Sequence, residues 1–471
     1  MRRKVGDLVD LGHGDDSAFT FADLFAGIGG FHAAMAASGG RATFVSEIDE
    51  YALDVYKRNW LREPGASDRP LVIGDIATVT ENETTAIPGF DVLCAGFPCQ
   101  PFSKSGHQLG INETRGTLFF HIEKLLRRQK PAVVFLENVR NLVGPRHRDT
   151  WATIIRHLRE AGYRVSSEPS ILSPHVLPPG LGGTPQSRDR VFILGTYVGR
   201  ERALAEVDVP PTIVRRPDFD WDPDNWSLYE DIELEDDPSV IERYRLNSVE
   251  LRWLQVWEDF LQRFLRENPG GRLPGFPLWE ESFVRTPHIP ADTPSWKQDF
   301  LEKNSRFYNE NQAMIDAWRK DYPDMRNFPA SRRKFEWQAQ DAQSFDECLI
   351  HFRPSGVRVK RATYVPALVA ITQTTILGKH RRRLTPKEAA QLQGIDWHFD
   401  FGDQPDAQTY KQLGNGVAIG AAYHVFREHV SRDTDVPDHI RQAVIQRGER
   451  PEVPGVPRGD NQVSGSMAMA G

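Results

Sequence analysis

Between about Phe19 and Val198 the chain alternates short apolar runs with amphipathic stretches. The runs lie at 20–24, 43–46, 71–73, 91–95, 132–136, 163–167 and 190–194, each bounded by Gly, Asp, Pro or charged residues, and read as strands. Between them, 30–38, 50–60, 118–128 and 150–161 carry apolar residues at helical spacing. Strand and helix in strict alternation predict an α/β domain with a largely parallel sheet. After about residue 199 the alternation stops, and Trp, Pro and charged residues dominate; within this stretch, 249–267 and 298–320 each read as one helix. A further helix opens at Pro386, with Thr385 as its cap and Glu388 three residues after the cap, and another spans 416–430. The predicted organisation is a loose polar arm over 1–18, a first domain over 19–198, a second over 199–378, a return to the first over 379–445, and a Pro/Gly/Ser-rich disordered tail over 446–471.

A chain of 471 residues with 39% hydrophobic residues has enough apolar material for two or three packed units. Three cysteines do not make a disulfide framework and fit a reducing cytoplasm. No CxxC pair or Cys/His cluster is present, so no metal site is expected. No apolar stretch reaches membrane-spanning length, and no apolar segment follows the basic start, so neither a membrane partner nor a signal peptide is expected. The net charge of -7 argues against nucleic acid until its distribution is read. From Cys348 to Lys387 there is no Asp or Glu but nine Lys or Arg, which predicts one strongly positive surface.

Three segments carry chemistry. In Gly96-Phe97-Pro98-Cys99-Gln100-Pro101-Phe102-Ser103 a thiol stands between prolines just past an apolar strand. That would hold a nucleophile at one place above a sheet edge. A buried, inert cysteine is the competing reading of that residue alone. In Asp23-Leu24-Phe25-Ala26-Gly27-Ile28-Gly29-Gly30, glycines join the first strand to the first helix, where a ligand can approach the backbone. Glu47 after the second strand and Asp75 after the third supply carboxylates for ribose hydroxyls and an adenine amino group. Loop and acids together indicate an adenosine-containing cofactor; the glycine spacing does not match the G-x-G-x-x-G dinucleotide fingerprint.

These segments resemble the DNA cytosine-5 methyltransferase family. Glu137-Asn138-Val139 resembles its ENV motif, Gln186-Ser187-Arg188-Asp189-Arg190 its QxRxR, the segment from Arg383 to Gly394 its ninth motif, and Gln412-Leu413-Gly414-Asn415-Gly416-Val417 its tenth. The resemblance spans about 20–198 and 380–425. It implies a Rossmann-like methyltransferase domain using S-adenosylmethionine and a smaller, variable target-recognition domain. It further implies that Cys99 adds to C6 of a flipped-out cytosine, that Glu137 hydrogen-bonds N3 and the amino group, and that Arg188 and Arg190 hold the base and its phosphate near the thiol. The implied cofactor contacts are Phe25, Gly27, Gly29, Glu47, Ile48, Asp75, Ile76, Pro98, Leu118, Asn415 and Val417. The implied DNA contacts are Gln100, Ser103 and Gln186, with Arg358, Lys360 and Arg361 in the variable region. Two positions depart from the family pattern: Ala367 stands where Thr is usual, and Ile395 where Phe is usual. The six tryptophans Trp253, Trp257, Trp279, Trp296, Trp318 and Trp337 are expected to be core rather than base-stacking platforms. The implied partners are duplex DNA and a cognate restriction endonuclease, with the enzyme a cytoplasmic monomer. A tRNA cytosine-5 methyltransferase of the same fold and a catalytically silent DNA-binding module are the alternatives. The intact set of Cys99, Glu137, Arg188 and Arg190 argues against the silent module.

Overall fold

The computed structural model describes residues 18–61, 69–82, 84–97, 118–213, 221–368 and 374–451. The apolar runs in the middle of the sheet become strands buried on both faces, as a parallel sheet between helices requires, while Leu71–Ile73 at the edge stays partly exposed. These strands are β1 (Phe19–Leu24), β2 (Gly40–Ser46), β3 (Leu71–Ile73), β4 (Val92–Gly96), β5 (Val133–Val139), β6 (Tyr163–Val165), β7 (Ser170–Leu172), the two-residue β8 (Gln186–Ser187) and β9 (Arg190–Tyr197). The main sheet runs β3-β2-β1-β4-β5-β9-β6, with β7 also on β9. Strands β1 to β5 pair in parallel, while β9 runs antiparallel to β5 and β6 and β7 antiparallel to β9. Successive residues of β1 divide between the two faces. Phe19 and Phe21 enter a core with Phe31 and Phe426; Ala22 and Leu24 enter another with Ile122, Leu125, Ile154 and Leu158. The loops at the C-terminal ends of β1, β2, β4 and β5 therefore open on one edge of the sheet, where ligands bind in such folds.

The helix Glu50–Trp60 has the expected bounds, and its Asp49 cap accepts from the Tyr51 and Ala52 amides. The capping box at Thr385 and Glu388 forms as expected. Three expectations are corrected. The stretch 298–320 is two helices, Ser295–Glu310 and Gln312–Asp321, because Asn311 leaves helical geometry and its side-chain amide donates to the Phe307 carbonyl. The stretch 416–430 begins at Ile419; Gly416 instead ends an unanticipated helix, Asp406–Asn415. The region after 199 also holds a second sheet: β10 (Leu278–Trp279), β11 (Lys334–Gln338), β12 (Cys348–Arg353), β13 (Gly356–Arg361), β15 (Ile376–Leu377) and β16 (Arg382–Arg383), in the order β10-β11-β13-β12-β15-β16. The β15–β16 hairpin crosses the boundary expected at 378/379. Strand β14 (Val365–Pro366) pairs with β8 and ties the second region to the first.

Of the six tryptophans, Trp257, Trp318 and Trp337 are buried in the core of the second region, Trp253 and Trp279 are half-buried, and Trp296 is exposed. The acid-free basic stretch does not make one surface. Arg381 pairs with Glu258 and Asp346, Arg382 with Glu388, and Arg383 with Glu250, all carboxylates from outside that stretch.

Candidate active site

Strand β4 ends at Gly96, opposite Glu137 of β5 in the parallel register. The chain leaves β4 as Gly96-Phe97 toward Pro98 and Cys99. Pro98, Cys99, Gln100 and Ser103 lie outside the described residues. Asn138 fixes the departure: its amide nitrogen donates to the Phe97 carbonyl at 2.7 Å. Glu137 is buried, and Arg190 at the start of β9 lies against it, Nε to Oε1 at 2.9 Å. Burial raises the Glu137 carboxyl above its usual range, against the opposing pull of Arg190 and Arg188. The result is a carboxyl that takes a proton more readily than a surface glutamate while a cation stands beside it.

Two residues are used otherwise than expected. Arg188 is 1% exposed, and its guanidinium donates to the carbonyls of Leu368, Gly414 and Gly416 at 3.1, 2.9 and 2.7 Å. Burial, with Arg190 beside it, draws its pKa down to about 9. Through these three carbonyls the guanidinium ties far segments to the site, while its buried Nε has no hydrogen-bond partner among the described residues. Gln186 is fully buried, and its amide donates to the Leu392 carbonyl at 3.0 Å, which removes it from any DNA-facing surface. Between Arg188 and Arg190, Asp189 ion-pairs with Arg140, which stands just after β5.

At the neighbouring strand ends the backbone is shaped for a ligand. Phe25, Gly27 and Gly29 all have positive φ, +55°, +55° and +92°. Phe25 holds this conformation although a side chain disfavours it, which the surrounding structure must enforce. Glu47 accepts from Gly27 N–H through one oxygen and from Asp49 N–H through the other, each at 2.7 Å. Each oxygen keeps a further acceptor position, which suits a pair of ribose hydroxyls. Ile48 beside it is 70% exposed, an apolar side chain placed where a base could cover it. Asp75 is exposed and accepts from Ala77 N–H, and Ile76 behind it is buried. Leu118 opens the helix Leu118–Gln129 and is partly buried. Val417 is buried against Gly30 and Gly96; a Cβ on Gly30 would stand 2.7 Å from the Val417 carbonyl oxygen. Asn415 is exposed at the end of the helix Asp406–Asn415. An apolar platform, a two-armed carboxylate and a loop of positive φ fit an adenosine-bearing cofactor.

Several supports had no signal in the sequence. Trp60 donates from its indole N–H to the Ile28 carbonyl at 3.0 Å and fills the space beside Gly29, where a Cβ would stand 2.1 Å from the indole nitrogen. Asn59 and Asp400 exchange hydrogen bonds at 2.9 Å each way, and Lys411 ion-pairs with Asp49 at 2.9 Å. These pairs span more than three hundred residues of sequence, so no local pattern could disclose them. Asn138 lay inside a recognised motif, but its role needed the position of Phe97.

Arg358 pairs with Glu336 at 2.7 Å, Lys360 donates to the Tyr364 carbonyl at 2.5 Å, and Arg361 stands half exposed at 3.6 Å from Asp341. Among the described residues no group of three or more His, Cys, Asp or Glu is arranged to hold a metal ion, and no helix is long and apolar enough to cross a membrane.

Residues 19–431 match the family described as C-5 cytosine-specific DNA methylase. The chain is 42% identical to the type II methyltransferase M.AluI of Cellulosimicrobium cellulans, across 89% of this chain and 93% of that protein. It is 42% identical to M.NlaX of Neisseria lactamica, across 85% and 93%, and 30% identical to M.BanI of Aneurinibacillus aneurinilyticus, across 87% and 95%. With a family match over most of its length and relatives aligned nearly end to end, the chain belongs to the C-5 cytosine-specific DNA methylases, the enzymes that use S-adenosylmethionine to methylate cytosine in DNA.

Proposed function

We propose that the enzyme methylates a flipped-out cytosine through a covalent bond between Cys99 and C6, with Glu137 and Arg190 as the groups that hold and protonate the base. The observation that carries this is the buried Glu137–Arg190 pair, set opposite the last residue of the strand that leads to Cys99. C5 of cytosine is a weak nucleophile. Addition of the Cys99 thiolate at C6, with a proton delivered to N3 from the Glu137 side, converts the ring to an enamine. S-adenosylmethionine, when bound, would supply the electrophilic methyl group for C5 and leave as S-adenosylhomocysteine. Loss of the C5 proton to a base then expels the Cys99 thiolate and restores the C5–C6 double bond. Arg190, charged and half-shielded beside Glu137, is oriented to donate to the base carbonyl, while Arg188 positions the Gly414–Gly416 turn beneath the cofactor.

For the cofactor, Glu47 would take the ribose hydroxyls, Ile48, Ile76 and Phe25 the faces of the adenine, and Asp75 its amino group. Gly27 and Gly29 would give the backbone approach, and Pro98, Leu118, Asn415 and Val417 would close the pocket. Gln100 and Ser103 are assigned to the DNA beside the target base. Residues 199–378 form the target-recognition region in this reading, extended to the β15–β16 hairpin, with Arg358, Lys360 and Arg361 facing DNA. The relatives are type II methyltransferases, which supports a cognate restriction endonuclease acting on the same site; a monomer suffices for the chemistry.

The test is incubation with methyl-labelled S-adenosylmethionine and unmethylated duplex DNA, followed by bisulfite mapping. Label on cytosine at one short repeated sequence is expected, and its loss in Cys99→Ser with cofactor binding kept. Transfer by Cys99→Ser at the wild-type rate contradicts the assignment.

A further inference from the structure

The second sheet has two unlike faces. Val357, Val359, Phe335 and Trp337 point into the core of the second region, whereas Leu349, on the opposite face, packs into the core shared with the catalytic region. The strand register lays a polar row across that opposite face: Glu336 of β11 stands opposite Arg358 of β13, and Arg358 opposite His351 of β12. The row is hydrogen-bonded. Glu336 Oε1 accepts both from Arg358 Nη2, at 2.7 Å, and from the amide of Gln338. His351 Nε2 lies 3.0 Å from the Thr375 hydroxyl. Two residues along β12 on the same face, the Arg353 carbonyl accepts from Arg332 Nη1 at 2.9 Å, while its guanidinium has no hydrogen-bond or ion-pair partner among the described residues. Lys360 shares the face and lies 3.7 Å over the Tyr364 ring, which in turn packs on His175 of the catalytic region at 4.6 Å. Just beyond Tyr364, β14 pairs with β8, the segment leading to Arg188 and Arg190.

Three cations, Arg353, Arg358 and Lys360, thus share one half-buried face with a single hydrogen-bonded carboxylate, Glu336. Burial first, and then the neighbouring cations, depress the Arg353 and Lys360 pKa values, the latter to about 8, against the opposing pull of Glu336 on Arg353 and of Asp224 on Lys360. Such a surplus is relieved by an anion. A surface that only tracks phosphates has no use for Glu336, whose charge opposes them. A base-reading surface does, because a carboxylate orients the guanidinium fork and accepts from a cytosine amino group, arginine forks match guanine, and glutamine matches adenine. Strands of this kind enter a major groove.

We propose that the face bearing Gln338, Glu336, Arg358 and Arg353 reads base edges in the major groove of the target site, and that Arg361, on the other side of β13 at its exposed end, contacts phosphate only. The inference rests on the second region being the DNA-facing one.

The experiment compares full-length wild type with Arg353→Gln, Arg358→Gln and Arg361→Ala on a plasmid library of randomised sites. Methylation is mapped by bisulfite sequencing, and duplex binding is measured on cognate and random DNA. Because Arg358→Gln breaks an internal ion pair, the unpaired Arg353→Gln carries the test if the former does not fold; binding of S-adenosylhomocysteine monitors folding. Arg353→Gln is expected to lower kcat/KM on the wild-type site about ten- to a hundredfold and to relax the preference at one base position, with random-DNA affinity nearly kept. Arg361→Ala is expected to weaken every duplex alike. An unchanged sequence pattern with a uniform loss of binding in Arg353→Gln overturns base reading in favour of phosphate contact. If none of the three variants alters duplex binding or site preference, the second region is not the DNA face and the underlying reading falls with the inference.

Discussion

At the scale of single residues the site is a set of side chains whose freedom has been removed by other side chains. Glu137 is the clearest case. Its carboxyl is raised by burial, so the fraction carrying a proton falls only as pH climbs through a value above the ordinary glutamate range. The step needing that proton should weaken as pH rises through this value, and Glu137→Gln should lose that pH limb together with about 10²–10⁴-fold in kcat while still binding S-adenosylhomocysteine. A pH–rate series on the two enzymes checks this. Trp60 acts one step further out, through the glycine loop. Trp60→Phe keeps the ring but removes the donor to Ile28, and the Kd for S-adenosylhomocysteine should rise about two- to tenfold, measured calorimetrically, with thermal stability little changed. Glu47 was readable in the sequence from its place just after a strand, and Glu137 from the resemblance of Glu137-Asn138-Val139 to a family motif. The commitments of Arg188 and Gln186 were not, since a motif states which residue is present and not whether it faces the ligand or the protein's own carbonyls.

At the scale of elements, local signals worked where the element is local. The alternating apolar runs marked the five parallel strands β1 to β5 and missed β7 of the same sheet, and Thr385, Pro386 and Glu388 marked a helix start to the residue. They failed where pairing partners are distant: β11 lies between β10 and β13, and its hydrophobic positions are masked by Lys334, Glu336 and Gln338 on the other face. The helix starting at Pro386 is also held by a buried ion pair, Arg382 with Glu388, at 1% and 0% side-chain exposure. Glu388 also accepts from Thr385 N–H and Glu235 N–H, so removing it strands both a charge and two amides. Glu388→Leu should cost about 3–5 kcal/mol in urea denaturation, and the double change with Arg382→Met should recover part of it, because no unpaired buried charge is left although the two amides still lack their acceptor.

Over the whole molecule, the catalytic region is closed by segments far apart in sequence, and the closure depends on buried neutral groups. His32 and His351 are held to pKa values of about 3, and His175 and His429 to about 4, all chiefly by burial. Their folded pKa values lie below the unfolded 6.5, so as pH falls through 6.5 the unfolded chain takes up protons that the folded one refuses. Stability is therefore lost from about pH 6.5 downward until the folded values are reached. The raised carboxyls of Asp23, Glu47 and Glu137 act in the opposite sense. The test is thus a difference: His32→Gln should have a shallower fall of melting temperature between pH 6.5 and 4 than wild type, worth on the order of 2 kcal/mol at the acid end. The end of the strand-helix alternation near residue 199 was legible in the sequence. The β15–β16 hairpin that straddles the boundary expected at 378/379 was not, because its strands are two residues each. The most direct test of the account as a whole uses duplex DNA carrying 5-fluorocytosine at the target position. With fluorine at C5 there is no proton to remove after methyl transfer, so the bond from the thiol to C6 cannot be released. Digestion and mass spectrometry should find the DNA joined to the peptide containing Cys99, and only when S-adenosylmethionine is present. Methyl transfer to ordinary cytosine with no adduct on Cys99, or an adduct on another cysteine, would contradict the account.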